Sequence, residues 1–210
     1  DVADSDWHTE AIEYVKEIGL MAGTGNGNFQ PDQLLTRAQI VAILHRLAGS
    51  PEAEYIRQFQ DVPADAWYAE AVAYCRQHGV MNGTISITFD PEGSLTRAML
   101  AAVLHRMSNS PTVINPPTFT DAVSGAWYMD AVPWAAKNGV ISGYGGGVFG
   151  VNDPTTREQA VTILWRYAGS PESSVLANIA DINMVSDWAQ NAVRWANANG
   201  ILDGMVRVFE

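Results

Sequence analysis

A 60-residue period runs through the 210 residues of this chain. Trp7, Trp67 and Trp127 stand 60 apart, and Trp188 follows 61 later. Asp1, Asp61, Asp121 and Asp181 keep the interval of 60, as do Gly19, Gly79 and Gly139, and Gly23, Gly83 and Gly143. Further along each unit, Thr36-Arg37, Thr96-Arg97 and Thr156-Arg157 open an apolar segment that ends at Arg46, Arg106 or Arg166. Self-similarity at a fixed period marks one supersecondary unit copied along the chain. Three full copies span 1–58, 59–118 and 119–178, and the front half of a fourth spans 179–210. One pair of short helices cannot cover its own apolar face, so neighbouring copies must bury it.

Each copy reads as helix, glycine-rich loop, helix. Trp7, Ala11, Tyr14, Val15 and Ile18 fall on one face at a helical period. Gly19, Gly79 and Gly139 then stand where a left-handed cap requires glycine. Glu10, Glu70 and Asp130 fall in the first turn, where negative charge complements the helix dipole. Pro133 falls inside the third such helix, which therefore either starts near Val132 with the proline in its first turn or kinks there. For the second helix, Thr36 with Gln39 and Thr156 with Gln159 match the capping box, and Thr96 with Met99 keeps half of it. Its buried stripe is Ile40, Ile43, Leu44 and Leu47, repeated as Leu100, Val103, Leu104 and Met107 and as Ala160, Ile163, Leu164 and Tyr167. Short extended stretches are expected around Phe29, Phe59, Phe119 and Phe149, without a sheet. The predicted class is all-α: a pseudo-threefold assembly in which the three Thr-Arg helices form a central bundle and the Trp helices lie outside.

Composition narrows the function. Twelve Lys plus Arg against 23 Asp plus Glu leave a net charge of -11, a surface that repels nucleic acid. No apolar run approaches the ~20 residues of a membrane span. The single Cys75 excludes an internal disulfide and a multi-thiolate metal site. Starting at Asp1 without Met or a signal peptide, the sequence is expected to be a processed chain or a piece of a longer one. His45 and His105 give way to Trp165 in the third copy and have no second His one turn on, so no metal is expected. The stretch from Asn26 to Asp32 lacks the carboxylates of a calcium loop. No catalytic arrangement emerges, and no cofactor is implied.

Arg37, Arg97 and Arg157 are the candidate anion ligands. Each opens a helix whose free N–H groups favour a carboxylate, and a guanidinium adds a planar fork matched to one. The alternative is an internal pair with an aspartate of the next copy, such as Asp61 or Asp121. Arg46, Arg106 and Arg166, near the helix C-termini, read as structural. Trp67, Trp127 and Trp188 either stack on sugar faces or plug the core between copies. Gly83 and Gly143 serve loop geometry or the close approach of a ligand.

The run Phe59-x-Asp61-Val62-Pro63-x-x-x-Trp67-Tyr68-x-x-Ala71-Val72, then Gly79-Val80-x-x-Gly83, Phe89-x-Pro91 and Thr96-Arg97-Ala98, closely resembles the S-layer homology family. The resemblance covers essentially the whole chain. It implies a non-catalytic extracellular anchor that holds proteins to a secondary cell-wall polysaccharide, often one bearing pyruvate ketals. The ligand lies in grooves between repeats, with the motif arginine (Arg37, Arg97, Arg157) prominent. On this reading Arg37 pairs with Trp67 and Arg97 with Trp127. The sequence departs from the family pattern at Gln39, Met99 and Gln159, at Glu158, at Ile85-Ser86-Ile87-Thr88 and at Phe149-Gly150-Val151, so the grooves are not expected to be equivalent. The fourth Trp helix, Asp187 to Asn199, either caps the third Thr-Arg helix or docks on another molecule. A self-associating structural repeat with degenerate grooves is the alternative function.

Overall fold

The computed structural model describes residues 30, 32–170, 181–199 and 201. The expected Trp7 helix, the Gly19, Gly23 and Phe29 positions and the stretch Asn26–Asn28 lie outside the described residues.

Six helices are present among them: α1 (Arg37–Leu47), α2 (Ala69–Gln77), α3 (Arg97–Met107), α4 (Ala131–Lys137), α5 (Arg157–Tyr167) and α6 (Asp187–Ala198). A 3-10 turn at Ile182–Met184 precedes α6. The described residues contain isolated bridges and no named strand, so the all-α expectation holds. The chain divides into two compact units, Leu34–Thr155 and Asp1–Gln33 with Thr156–Glu210.

Local sequence sets the helix ends. Thr36 Oγ1 accepts from the Gln39 N–H at 3.3 Å while Gln39 Oε1 accepts from the Thr36 N–H at 3.0 Å, closing a reciprocal cap. Thr156 and Gln159 repeat it, and Thr96 makes only its own half, because Met99 has no oxygen to return. Gly79 and Gly139 follow α2 and α4 at φ of 65° and 68°, the left-handed conformation expected of them. α4 begins at Ala131, so Pro133 lies in the first turn, where its missing N–H has no partner to lose. Asp130, expected inside that turn, is instead the N-cap residue, and its side chain makes no capping bond.

In the unit Leu34–Thr155, α1 packs against α2 and α3 against α4. In the other, α5 packs against α6. Each Thr-Arg helix thus takes as partner the Trp helix of the following repeat. The apolar stripes of α1 and α3 are fully buried at Ile40, Ile43, Leu44, Leu100 and Leu104. Leu47, Met107 and Tyr167 are half-buried, at the last residue of each helix.

Residues just ahead of the helix caps close a ring. Leu35 N–H donates to Thr155 O at 2.9 Å, Thr155 N–H to Leu95 O at 2.8 Å and Leu95 N–H to Leu35 O at 2.8 Å. All three residues are completely buried. The ring satisfies backbone groups that burial would otherwise leave costly.

Candidate functional site

Arg37 is 4% exposed, and its guanidinium is anchored by the loop of the next repeat. Nε–H donates to Phe89 O at 2.8 Å and Nη2–H to Asn82 O at 2.8 Å. The Phe89 ring lies under it, 4.7 Å from Cζ to the centroid. Burial lowers its pKa from the usual arginine value, against which Asp90 and Asp61 pull upward. Two of the five guanidinium donors are used on carbonyls, and Nη1 reaches only the Met99 sulfur, at 4.0 Å. Donors therefore remain for an anion.

The helix N-terminus does not supply them. Arg37 N–H donates to Gly93 O at 2.9 Å and Ala38 N–H to Pro91 O at 2.9 Å. In α3, Arg97 N–H goes to Asp153 O at 3.0 Å and Ala98 N–H to Val151 O at 3.3 Å, and in α5, Arg157 N–H goes to Gln33 O at 2.8 Å. The expectation of free amides at these ends is corrected: a loop from another repeat consumes them. The aspartates named as alternative partners, Asp61 and Asp121, direct their hydrogen bonds to loop N–H groups and act on Arg37 and Arg97 through charge. Asp61 accepts the N–H groups of Phe89 and Asp90 at 2.9 and 2.6 Å. Asp121 accepts those of Phe149, Gly150 and Val151 at 2.8, 2.6 and 3.0 Å. These carboxylates shape the loops whose carbonyls hold the arginines.

Arg97 repeats the anchoring of Arg37, with Nε–H to Phe149 O at 3.0 Å and Nη2–H to Ser142 O at 2.6 Å. Its surroundings differ. Tyr144 lies over the guanidinium, 4.5 Å from Cζ to the ring centroid, at the place where the previous repeat has Thr84. Arg157 is the most deeply buried of the three, at 1% exposure.

Trp67, Trp127 and Trp188 are not core plugs. Trp67, Trp127 and Trp188 are 64%, 58% and 52% exposed. Each of the first two stands edge-on to a buried tyrosine, Tyr68 at 5.2 Å and Tyr128 at 5.1 Å, which holds the indole outward.

Beside Arg37 opens a cavity of about 360 Å³, lined further by Asn82, Thr84, Met99, Arg106 and Trp127. The tryptophan that joins Arg37 there is Trp127, not Trp67, so the expected pairing is corrected. Two arginines and no carboxylate line this cavity, in a chain with 23 acidic and 12 basic residues.

The S-layer homology domain profile matches residues 1–41, 58–99, 118–161 and 178–207. The chain belongs to the S-layer homology family. It is 28% identical over 171 residues to the amylopullulanase of Thermoanaerobacterium thermosulfurigenes, covering 79% of this chain and 9% of that protein. It is 31% identical over 166 residues to the surface-layer 125 kDa protein of Lysinibacillus sphaericus, covering 77% and 14%. A third relative, the exoglucanase XynX of Acetivibrio thermocellus, is 28% identical over 171 residues, covering 79% and 16%. The chain thus spans 9% to 16% of the length of these relatives.

Within this S-layer homology chain, Gly83 and Gly143 are needed by the loops themselves. A Cβ on Gly83 would stand 2.5 Å from the carbonyls of Ile85 and Thr88 and 2.6 Å from the Phe59 ring. One on Gly143 would stand 2.7 Å from Val148 O. Gly83 also lines the Arg37 cavity. Arg106, read as structural from its place near a helix end, donates Nη1–H to Val80 O at 3.1 Å and faces the cavity too. The signal for it was available: Met99, Ala102, Val103 and Arg106 are spaced as one helical face, and that face lines the cavity. His45 and His105 tie helix ends to the linkers, each Nε2–H donating to a proline carbonyl, Pro51 at 2.7 Å and Pro111 at 3.0 Å. Among the described residues, no group of three His, Cys, Asp or Glu side chains could hold a metal, and no helix is long and apolar enough to cross a membrane.

One departure from the family motif now has a reason. Glu158, where the other copies have Ala38 and Ala98, is buried and accepts both the N–H and the hydroxyl of Ser186, the N-cap of α6. The fourth Trp helix is thereby held on the third Thr-Arg helix of its own chain.

Proposed function

We propose that this chain is a non-catalytic, extracellular module that anchors a protein to the cell wall by binding an acidic, pyruvylated secondary wall polysaccharide. The observation that carries the reading is the Arg37 cavity, with two guanidiniums, no carboxylate and an exposed tryptophan on a strongly acidic protein. A pyruvate-type carboxylate is met by the spare donors of Arg37 and by Arg106, which a planar fork suits. The face of Trp127 and the neighbouring Met99 cover the apolar side of the sugar ring. Membership of the S-layer homology family supports wall attachment. So does the small share of each relative that the chain spans, since two of those relatives are named as carbohydrate-active enzymes and one as a surface-layer protein.

The motif arginines are not equivalent in this reading. Arg37 carries the ligand, whereas Arg97 lies beneath Tyr144 and chiefly holds its loop. Calorimetric titration with purified pyruvylated wall polysaccharide tests the proposal. Binding that weakens with salt and is lost in Arg37→Ala is the expected result. No binding, together with concentration-dependent self-association, would overturn it in favour of a structural repeat.

A further inference from the structure

Four Asn-Gly steps occur in the chain: Asn26-Gly27, Asn82-Gly83, Asn138-Gly139 and Asn199-Gly200. Such a step can react with itself, because glycine has no side chain to shield its nitrogen from the asparagine carboxamide. Asn26, Gly27 and Gly200 lie outside the described residues. Hydrogen bonding separates the other two steps. Asn138 is exposed, but its Nδ2–H donates to Trp134 O at 2.8 Å and the Gly139 N–H donates to Ala136 O at 3.2 Å. Both reacting groups are thereby held. Asn82 is exposed as well, and among the described residues neither its carboxamide nor the Gly83 N–H has a hydrogen-bond partner.

Arg37 adds activation. Its Nη2–H donates at 2.8 Å to the Asn82 carbonyl, which belongs to the peptide bond with Gly83. When the Gly83 nitrogen loses its proton, negative charge spreads onto that oxygen, where the guanidinium stabilises it. Arg97 makes the matching bond to Ser142 O, but Ser142 has no carboxamide to attack.

We propose that Asn82 is a site of spontaneous deamidation, and that the product closes the Arg37 cavity to anions. The Gly83 nitrogen attacks Asn82 Cγ and a C–N bond forms. The side-chain nitrogen leaves as ammonia, carrying the proton that Gly83 gave up. Water then adds to one carbonyl of the cyclic imide and cleaves its bond to nitrogen. Cleavage at Cγ gives aspartate. Cleavage at the main-chain carbon gives isoaspartate, and the oxygen that had accepted from Arg37 becomes part of its carboxylate. Either product brings a negative charge to a cavity lined by two arginines and no carboxylate. That charge pairs with Arg37 and repels an incoming carboxylate. The effect on binding rests on the Arg37 cavity taking the acidic glycan; the modification does not.

The test ages the full chain at mildly alkaline pH and maps its peptides by mass spectrometry, with isoaspartyl methyltransferase labelling to mark the isoaspartate. Conversion is expected at Asn82 and not at Asn138, and Asn82→Ser should abolish it. Calorimetry with pyruvylated wall polysaccharide then compares aged with fresh protein for the parent and for the variant. The parent should weaken about tenfold or more on ageing, the worth of one hydrogen bond to a charged group, whereas Asn82→Ser should keep whatever affinity it had when fresh. Equal conversion at Asn138, or none at Asn82, overturns the modification site. Conversion at Asn82 that leaves binding unchanged overturns its action on the cavity. Fresh parent that fails to bind the polysaccharide overturns the anchoring role of the cavity, and the peptide map alone then decides the modification.

Discussion

Asp181 Oδ2 accepts a hydrogen bond from the Gln30 backbone N–H at 3.2 Å, across 151 positions of sequence. Asp61 and Asp121 do the same for Asp90 and Gly150, the residues equivalent to Gln30, but within their own repeats. The fourth repeat therefore supplies the aspartate for Gln30 of the first. In the same unit the Gln33 carbonyl receives the Arg157 N–H at 2.8 Å. Glu158 adds the second tie by gripping Ser186 at 2.9 and 3.0 Å. Glu158→Ala is expected to destabilise this unit by about 1.5–3 kcal/mol, the range for a buried, charge-assisted pair of bonds. Hydrogen exchange should then quicken through α6 before it does in α3. Unchanged exchange in α6 would show that Glu158 does not hold it.

Arg37 and Arg97 have matching backbone partners and different roofs. Removing either guanidinium leaves two loop carbonyls without a donor, so Arg37→Ala and Arg97→Ala should each cost about 2–4 kcal/mol in denaturant unfolding. They should separate in polysaccharide binding. Arg37→Ala loses it, while Arg97→Ala keeps most of it at a temperature where both variants remain folded. Equal loss in both would mean that Tyr144 is no barrier.

Asp121 gives the protein an acid-sensitive loop. Burial pushes its pKa up, but the three backbone N–H donors outweigh that and hold it below the ordinary 3.8. The folded form thus resists protonation more than the unfolded form does. The resulting stability is complete above the unfolded value and is lost as pH falls through the depressed folded one. Asp121→Asn should be less stable at neutral pH and should show a shallower decline below about pH 4 than the parent, as this linkage requires. Parallel pH–stability curves for the two proteins would remove Asp121 as the cause.

Cys75 reports on folding. Its thiol is fully buried in α2, 3.9 Å from Val41 O, and burial pushes its pKa up to about 12. The thiolate is the reactive form, so the native protein should resist a thiol reagent at pH 8 and react only as α2 leaves α1. Labelling as fast as that of a free thiol at the same pH would contradict this burial.

How much of this was legible beforehand differs between levels of structure. The starts at Thr36, Thr96 and Thr156 and the glycine stops at Gly79 and Gly139 depend on groups within four residues of one another. Sequence spacing reports such contacts directly. Even the weaker cap at Met99 could be read, because a missing oxygen is visible in the residue type. The candidate arginines were legible too, through their threefold recurrence. Their neighbours were not. A 60-residue period cannot say whether Trp67 or Trp127 reaches Arg37, since both stand at the same place in their repeats.

The amino-acid order by itself determined the repeat, the helices and their ends, because these follow from local hydrogen bonding and from apolar faces at a helical period. Tertiary packing alone decided that loop carbonyls would consume the amides at the starts of α1, α3 and α5. It also turned Trp67 and Trp127 outward against the buried Tyr68 and Tyr128 and brought Arg106 to the same cavity as Arg37. Those outcomes depend on hydrogen bonds and contacts between residues tens of positions apart, whose geometry exists only once one repeat has closed on another.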